Sequence, residues 1–130
     1  FKDFEEVSRN YDRDVSFGFH PKGTTAESIV VHEIGHAIDM YLSSKGIKFG
    51  NKTTEKYNPS NKLSHLLQSK MCMSIGIKKS QIGNSVSIYA TCKPEEWFAE
   101  CFAEYTTSAE PRAIAARFGQ MLEKIMEDIK

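Results

Sequence analysis

The chain of 130 residues contains no apolar run close to the roughly 20 residues that a helix needs to span a bilayer. Its three cysteines, Cys72, Cys92 and Cys101, are an odd number without a CxxC pair, which argues against a disulfide framework and a cysteine zinc knuckle. The 17 basic and 17 acidic side chains cancel, so net charge gives no signal for nucleic acid or an anionic membrane. We therefore expect neither nucleic acid nor a membrane as a partner. We also expect the three cysteines to be reduced thiols.

The remaining composition is that of an ordinary globular protein, with 40% hydrophobic and 26% charged residues. At this length we expect a single domain over residues 1–130, which can bury a core without disulfides. The sequence opens at Phe1 rather than at a methionine and shows no signal-peptide pattern. This opening predicts a domain excised from a longer chain, with contacts to the rest of that parent protein.

Apolar spacing predicts an α+β fold that is mostly helical, with a small sheet beside the first long helix. Val15, Phe17 and Phe19 alternate with polar neighbours, which is typical of a half-buried strand. A shorter apolar alternation follows at Val86 and Ile88. The polar segments 51–61 and 76–85 are predicted to be loops.

Several helices are predicted from capping residues and from 3.6-residue periodicity. Thr24 and Glu27 have the spacing of a capping box, which predicts a helix over residues 24–44 that Gly46 ends in the left-handed conformation. The other predicted helices contain Phe1, Phe4, Val7 and Tyr11, span residues 63–74, begin at Pro94 and begin at Pro111.

The first long helix contains the sequence His32-Glu33-Ile34-Gly35-His36. Residues four apart lie on the same helix face, so both imidazoles can reach one Zn²⁺ at about 2.0–2.1 Å. Glu33 lies about 100° further round the helix. From there its carboxylate can take a proton from a water that the metal has made acidic. The motif therefore predicts two zinc ligands, His32 and His36, and a general base.

A catalytic zinc normally has three protein ligands and one open position, so a third ligand is needed. The position six residues after His36 is Leu42, which excludes the long histidine motif. His20 and His65 are more typical of turn or surface residues than of ligands. Asp39 lies one turn beyond the two histidines, where a role in orienting a histidine or a loop is favoured over ligation.

Three glutamates, Glu96, Glu100 and Glu104, recur every four residues on one face of the helix that begins at Pro94. Each is a carboxylate of the kind that could complete the zinc site. Periodicity alone does not choose between Glu96 and Glu100.

These motifs together resemble a known family. The HEIGH helix, a later tyrosine and the sequence Glu-x-x-Ala-Glu-x-Phe are similar to the catalytic domain of anthrax lethal factor. The chain resembles more closely the zincin-like metallopeptidase domains of phage head-morphogenesis (minor capsid) proteins. That likeness covers residues 17–112 and rests on four segments, namely Phe19 to Thr24, Tyr89-Ala90, Glu96 to Glu100 and Pro111-Arg112.

The resemblance implies roles for six residues: His32, His36 and Glu96 bind one Zn²⁺ per chain, Glu33 is the general base, Tyr89 stabilises the oxyanion, and Glu100 supports the site. The interval of 60 positions from His36 to Glu96 is longer than in the toxin. The segment between these residues is therefore not expected to match the corresponding part of the toxin domain, and neither is the substrate cleft.

The expected function is that of a zinc-dependent endopeptidase of the HExxH-plus-glutamate type, acting on a peptide or protein substrate. The strand predicted at residues 15–19 could pair with an extended substrate. The alternative is a non-catalytic zinc-binding module of a phage or prophage head protein, in which metal binding stabilises the fold. The resemblance implies a cytoplasmic or virion-associated setting. A secreted effector protease would share the same chemistry.

Overall fold

The computed structural model describes residues 3–129 and confirms a mostly helical chain with one small sheet in that range. Its helices and strands follow in this order: α1 (Phe4–Ser16), α2 (Ser28–Ser43), β1 (Lys48–Phe49), β2 (Lys52–Thr53), α3 (Leu63–Ile75), α4 (Ile82–Ser85), α5 (Pro94–Thr107) and α6 (Ala113–Asp128). Single 3-10 turns occur at Pro59–Asn61, Lys79–Gln81 and Tyr89–Thr91.

Helix α5 is the centre of the fold and packs against α2, α3 and α6. Pro94 occupies its first turn, where the missing N–H costs no helical hydrogen bond. Trp97 and Phe98 on α5 are fully buried, and both meet the ring of Phe118 on α6 edge to face, with centroids 5.6 and 4.9 Å apart. This aromatic core holds α5 in place, so the acidic face of α5 is presented to α2.

Gly35 sets the distance between α2 and α5. A Cβ atom at this position would lie 3.0 Å from Cα of Ala99 and 3.3 Å from Cβ of Phe102. Contacts this short are rare for real Cβ atoms, so a larger residue here would require α5 to move away by a few tenths of an ångström. Gly35 lies between His32 and His36, and the close approach therefore occurs where the histidines face α5.

The predicted capping box at Thr24 and Glu27 is wrong, because α2 begins only at Ser28. The Thr24 hydroxyl donates to the carbonyl of Pro21 (2.6 Å) and accepts from the hydroxyl of Tyr11 (3.0 Å), so it does not cap the helix. Gly46 does adopt a positive φ of 64°, but α2 ends at Ser43, before this residue.

The strand predicted at residues 15–19 is also wrong, and the substrate-pairing edge predicted with it is lost. Val15 and Ser16 complete α1, and the chain then turns at Gly18, which has a φ of 80°. The alternation was short enough to be the end of an amphipathic helix followed by a turn. The apolar pair Val86 and Ile88 likewise forms no strand.

The sheet lies instead within a stretch where no strand was predicted. β1 and β2 form a two-stranded antiparallel hairpin in which Lys48 pairs with Thr53 and Phe49 with Lys52. Gly50, with a φ of 62°, provides the tight turn between them. The predicted loops at 51–61 and 76–85 also contain short 3-10 turns and α4.

The remaining helix predictions hold with small shifts in their boundaries. The first helix runs further than expected, to Ser16, while Phe1 lies outside the described residues. α3 ends one residue later than predicted, at Ile75, α5 begins at Pro94 as predicted, and α6 begins at Ala113, two residues after Pro111. Among residues 3–129, none of the helices combines the length and apolar character that crossing a membrane requires.

Candidate metal centre

Two histidines of α2 and one glutamate of α5 bring three possible ligand atoms together. Nε2 of His32 and Nε2 of His36 are 3.1 Å apart. Oε1 of Glu96 lies 3.2 Å from the first nitrogen and 2.6 Å from the second. Among the described residues, this is the one group of three or more histidine, cysteine or acidic side chains close enough to hold a metal ion.

The size of this triangle fits a tetrahedral zinc site. Two atoms that are each about 2.0–2.1 Å from a tetrahedral ion lie about 3.3 Å apart. Two of the three observed separations are within a few tenths of an ångström of that value, and the third, between His36 and Glu96, is shorter. Two imidazoles and one carboxylate are also a donor set that suits zinc and leaves a fourth position for water or substrate.

Glu100 lies one turn after Glu96 and contacts the opposite edge of the His32 ring. Its Oε2 is 3.0 Å from Nδ1 of His32, and the side chain is almost completely buried. A carboxylate only accepts hydrogen bonds, so Nδ1 of His32 must carry the proton. Nε2 is then left with its lone pair free to bind a metal ion, an arrangement typical of histidine ligands.

His20 and Ser87 complete the surroundings of Glu100, and neither was predicted to belong to the site. Nδ1 of His20 is 3.2 Å from Oε1 of Glu100, and the Ser87 hydroxyl donates to the same oxygen at 3.0 Å. The His20 ring stacks on Tyr11, with centroids 4.3 Å apart and planes within 5°. His20 stood in the aromatic-His-Pro segment of the resemblance, which was the available signal, whereas nothing in the sequence marked Ser87.

The electrostatics of the metal-free site follow from these contacts. Burial alone would raise the pKa of Glu100, but hydrogen bonds from His20 and His32 outweigh burial and lower it. Burial likewise opposes the charged form of Glu96, and contacts with Tyr89, His36 and His32 lower its pKa. For His32, burial lowers the pKa and the two glutamates raise it, with a net upward shift. Both carboxylates are therefore ionised at neutral pH.

Glu33 and Tyr89, the two other residues expected to act at the site, differ in their surroundings. Glu33 is exposed on α2 between the two histidines, and it has no hydrogen-bond partner within residues 3–129. Tyr89 is half-buried with its ring 5.8 Å from that of His32. Interaction with the Glu96 carboxylate, together with partial burial, raises the pKa of Tyr89 to about 12. Tyr89 therefore keeps its proton at neutral pH and can serve as a hydrogen-bond donor.

Tyr89 and His20 are connected through the segment that was expected to be a strand. The backbone N–H groups of Ile88 and Tyr89 donate to the carbonyls of Gly18 (2.8 Å) and Phe19 (3.2 Å). The ring of Phe19 also lies 5.5 Å from that of Tyr89. Residues 18–20 therefore support the site twice, through the backbone at Tyr89 and through the His20 side chain at Glu100.

Asp39 does not orient a histidine and instead holds the start of α3. Its Oδ1 accepts from the backbone N–H of Ser64 at 2.9 Å and from the hydroxyl of Ser43 at 3.4 Å. Burial raises the pKa of Asp39, and the bonds to Ser64 only partly offset this effect. Asp39 lies close to one helical turn after His36, as the spacing predicted, but its carboxylate faces the start of α3. The role of orienting His32 belongs to Glu100.

Glu104, the third member of the acidic row, belongs to a separate structural ion pair. It is fully buried, and its two carboxylate oxygens lie 2.7 and 3.1 Å from Nη2 and Nε of Arg112. Bidentate pairing of this kind satisfies a buried carboxylate. The row on α5 thus divides into one possible ligand, one supporting carboxylate and one structural anchor.

Comparisons with protein-family models, with curated proteins and with solved structures found no match to this chain.

Proposed function

We propose that the chain is a zinc-dependent endopeptidase in which His32, His36 and Glu96 hold the metal. The observation that supports this most strongly is the triangle of ligand atoms, together with the buried carboxylate on Nδ1 of His32. A zincin-like fold, related to the metallopeptidase domains of phage head-morphogenesis proteins, is part of the same proposal. The cytoplasmic or virion-associated setting rests on that resemblance alone.

Each residue around the triangle has a defined task in this proposal. The bound ion supplies Lewis acidity, which polarises a carbonyl and makes a water acidic enough to lose its proton near neutral pH. Glu33 accepts that proton and later delivers it to the departing amine. Tyr89, which is protonated, donates a hydrogen bond to the oxyanion that develops on the scissile carbonyl. Glu100 keeps His32 in the tautomer and orientation that ligation needs.

The exposure of Glu33 favours catalysis over a purely structural role for the metal. A structural zinc site is closed by four protein ligands, whereas the described residues bring only three together here. Glu33 is also solvent-accessible beside the two histidines, where a substrate and a water can reach it. A non-catalytic zinc module would need neither an open position nor a base at this place.

The test is the substitution Glu33→Gln, with Glu127→Gln on the exposed face of α6 as a matched control. We expect Glu33→Gln to keep its zinc and to lose peptide hydrolysis by a factor of roughly 10²–10⁴, because only the proton acceptor is removed. The control should match the parent in both measurements. Cleavage of a mixed peptide pool, read by mass spectrometry beside zinc content, checks this. Equal cleavage by Glu33→Gln and parent would rule out Glu33 as the base.

A further inference from the structure

The neutral net charge of the chain conceals a strong separation of charge along the sequence. Between residues 40 and 94 there are nine lysines and a single carboxylate, Glu55. The rest of the chain carries the other 16 carboxylates and only eight basic residues. The segment that connects the α2 histidines to Glu96 is therefore strongly basic, while the rest of the molecule is acidic.

A large groove lies in this basic segment. It has a volume of about 630 Å³ and lies between the β1–β2 hairpin and α3. Its lining contains no carboxylate among the described residues and includes four exposed lysines, namely Lys48, Lys52, Lys70 and Lys79. Apolar surface is present as well, in the half-buried ring of Phe49 and the exposed side chain of Met73.

One end of the groove lies at the first turn of α5, the helix that also carries Glu96. Pro94 and His65 are part of the lining, and Nε2 of His65 is 3.0 Å from Oε1 of Glu95. Nζ of Lys62 also lies 3.6 Å from the Glu95 carboxylate, so the negative charge of Glu95 is already paired. The groove therefore reaches the same helix turn as Glu96, and Pro94 and Glu96 lie on different faces of that turn.

We propose that this groove binds a short acidic segment of a polypeptide. This rests on the proposed peptidase function, in which that segment would be part of the substrate. Four lysines with no neighbouring acid in the lining attract negative charge, and Phe49 and Met73 offer apolar contact to the peptide's aliphatic stems. A long polyanion such as nucleic acid fits less well, because beyond the groove it would meet the acidic remainder of the chain.

The test measures binding without relying on cleavage. The full chain carrying Glu33→Gln is titrated into a short fluorescein-labelled peptide with a run of glutamates, and into the same peptide with glutamines, while anisotropy is followed. The paired substitution Lys70→Gln/Lys79→Gln removes charge from the groove. The matched control is Lys45→Gln/Lys56→Gln, which removes the same charge from exposed lysines of the same basic segment outside the groove lining.

We expect the glutamate peptide to bind more tightly than the glutamine peptide, with the difference reduced at higher salt. The groove variant should weaken glutamate-peptide binding by roughly tenfold, and the control by much less, because exposed charges act mainly at short range. Equal binding of the two peptides, or equal weakening by both variants, would overturn the proposal. Tighter, groove-dependent binding of a single-stranded RNA of matched charge would also overturn it. None of these results depends on zinc content, so failure of this binding proposal can be told apart from failure of the peptidase proposal.

Discussion

Glu100 shows how one buried side chain joins two histidines with different tasks. One carboxylate oxygen faces Nδ1 of His32, and the other faces Nδ1 of His20 and the Ser87 hydroxyl. A carboxylate with so little exposure is tolerated only because each of its oxygens has a donor. The orientation of His32 therefore depends on residues that do not touch the metal position themselves.

This arrangement makes His20 a positioning residue. Its removal should therefore lower the affinity of the site for zinc. We expect His20→Ala to weaken zinc affinity by up to about tenfold, the lower end of the effect of losing a direct partner of a metal ligand, because His20 acts through Glu100. His20→Asn keeps a donor near the position of Nδ1 and should recover much of the loss. Competition with a chromogenic chelator measures the affinity.

The thermal unfolding of the metal-free proteins provides the control for this comparison. If His20 served only to pack against Tyr11, both variants would lower the unfolding temperature and Asn would not rescue zinc affinity. Parent-like zinc affinity in His20→Ala would contradict the positioning role directly.

At the scale of elements, the site depends on how closely α2 approaches α5. His32 and His36 come from one helix, Glu96 and Glu100 from the other, and Gly35 lies at the contact between them. The i,i+4 spacing on each helix sets the order of the side chains, but the distance between helix axes decides whether their atoms meet. The absence of a Cβ at Gly35 allows the observed approach without a short contact.

The substitution Gly35→Ala tests this dependence. In an exposed helix the change would be stabilising by up to about 1 kcal/mol, because alanine is the better helix former. Here the new methyl group meets Ala99 and Phe102, so we expect a net loss of about 1–3 kcal/mol in the free energy of unfolding, together with weaker zinc binding. Chemical denaturation and chelator competition measure the two effects.

Gly83→Ala in α4 is the matched control. A Cβ at Gly83 would make only an ordinary contact, 3.5 Å from Cγ2 of Thr91. We expect this variant to keep the stability and zinc affinity of the parent. Should Gly35→Ala behave like Gly83→Ala, the close approach of α2 and α5 would not be what assembles the site.

Across the whole molecule, helical periodicity predicted well, whereas shorter local patterns and long-range contacts did not. The HEIGH helix, α3, α5 and α6 follow from apolar periodicity and from Pro94, because helical signals lie within a few residues of one another. The triangle joins His36 to a residue 60 positions later, and spacing within α5 left Glu96 and Glu100 equivalent. Only the resemblance distinguished them; in the structure, Oε1 of Glu96 lies near Nε2 of both histidines, and Glu100 contacts Nδ1 of His32.

The wrong predictions share a physical origin. The strand at 15–19 and the capping box at Thr24 were read from short patterns whose residues have other partners in the fold. The Thr24 hydroxyl is hydrogen-bonded to Tyr11 and to the carbonyl of Pro21. The carbonyls of Gly18 and Phe19 accept hydrogen bonds from the backbone near position 88. Tertiary contacts of this kind override local preference and are not visible in a single sequence.

The direct test of the whole account is the zinc content of the purified chain, measured by elemental analysis after exposure to zinc and removal of the excess. The parent is compared with Glu96→Ala and with Glu95→Ala, the neighbouring glutamate that bonds His65 instead. The account predicts about one zinc per chain in the parent and in Glu95→Ala, and clear loss in Glu96→Ala, because a carboxylate ligand is gone. A parent that takes up no zinc, or a Glu96→Ala variant that binds it as the parent does, would contradict the central claim.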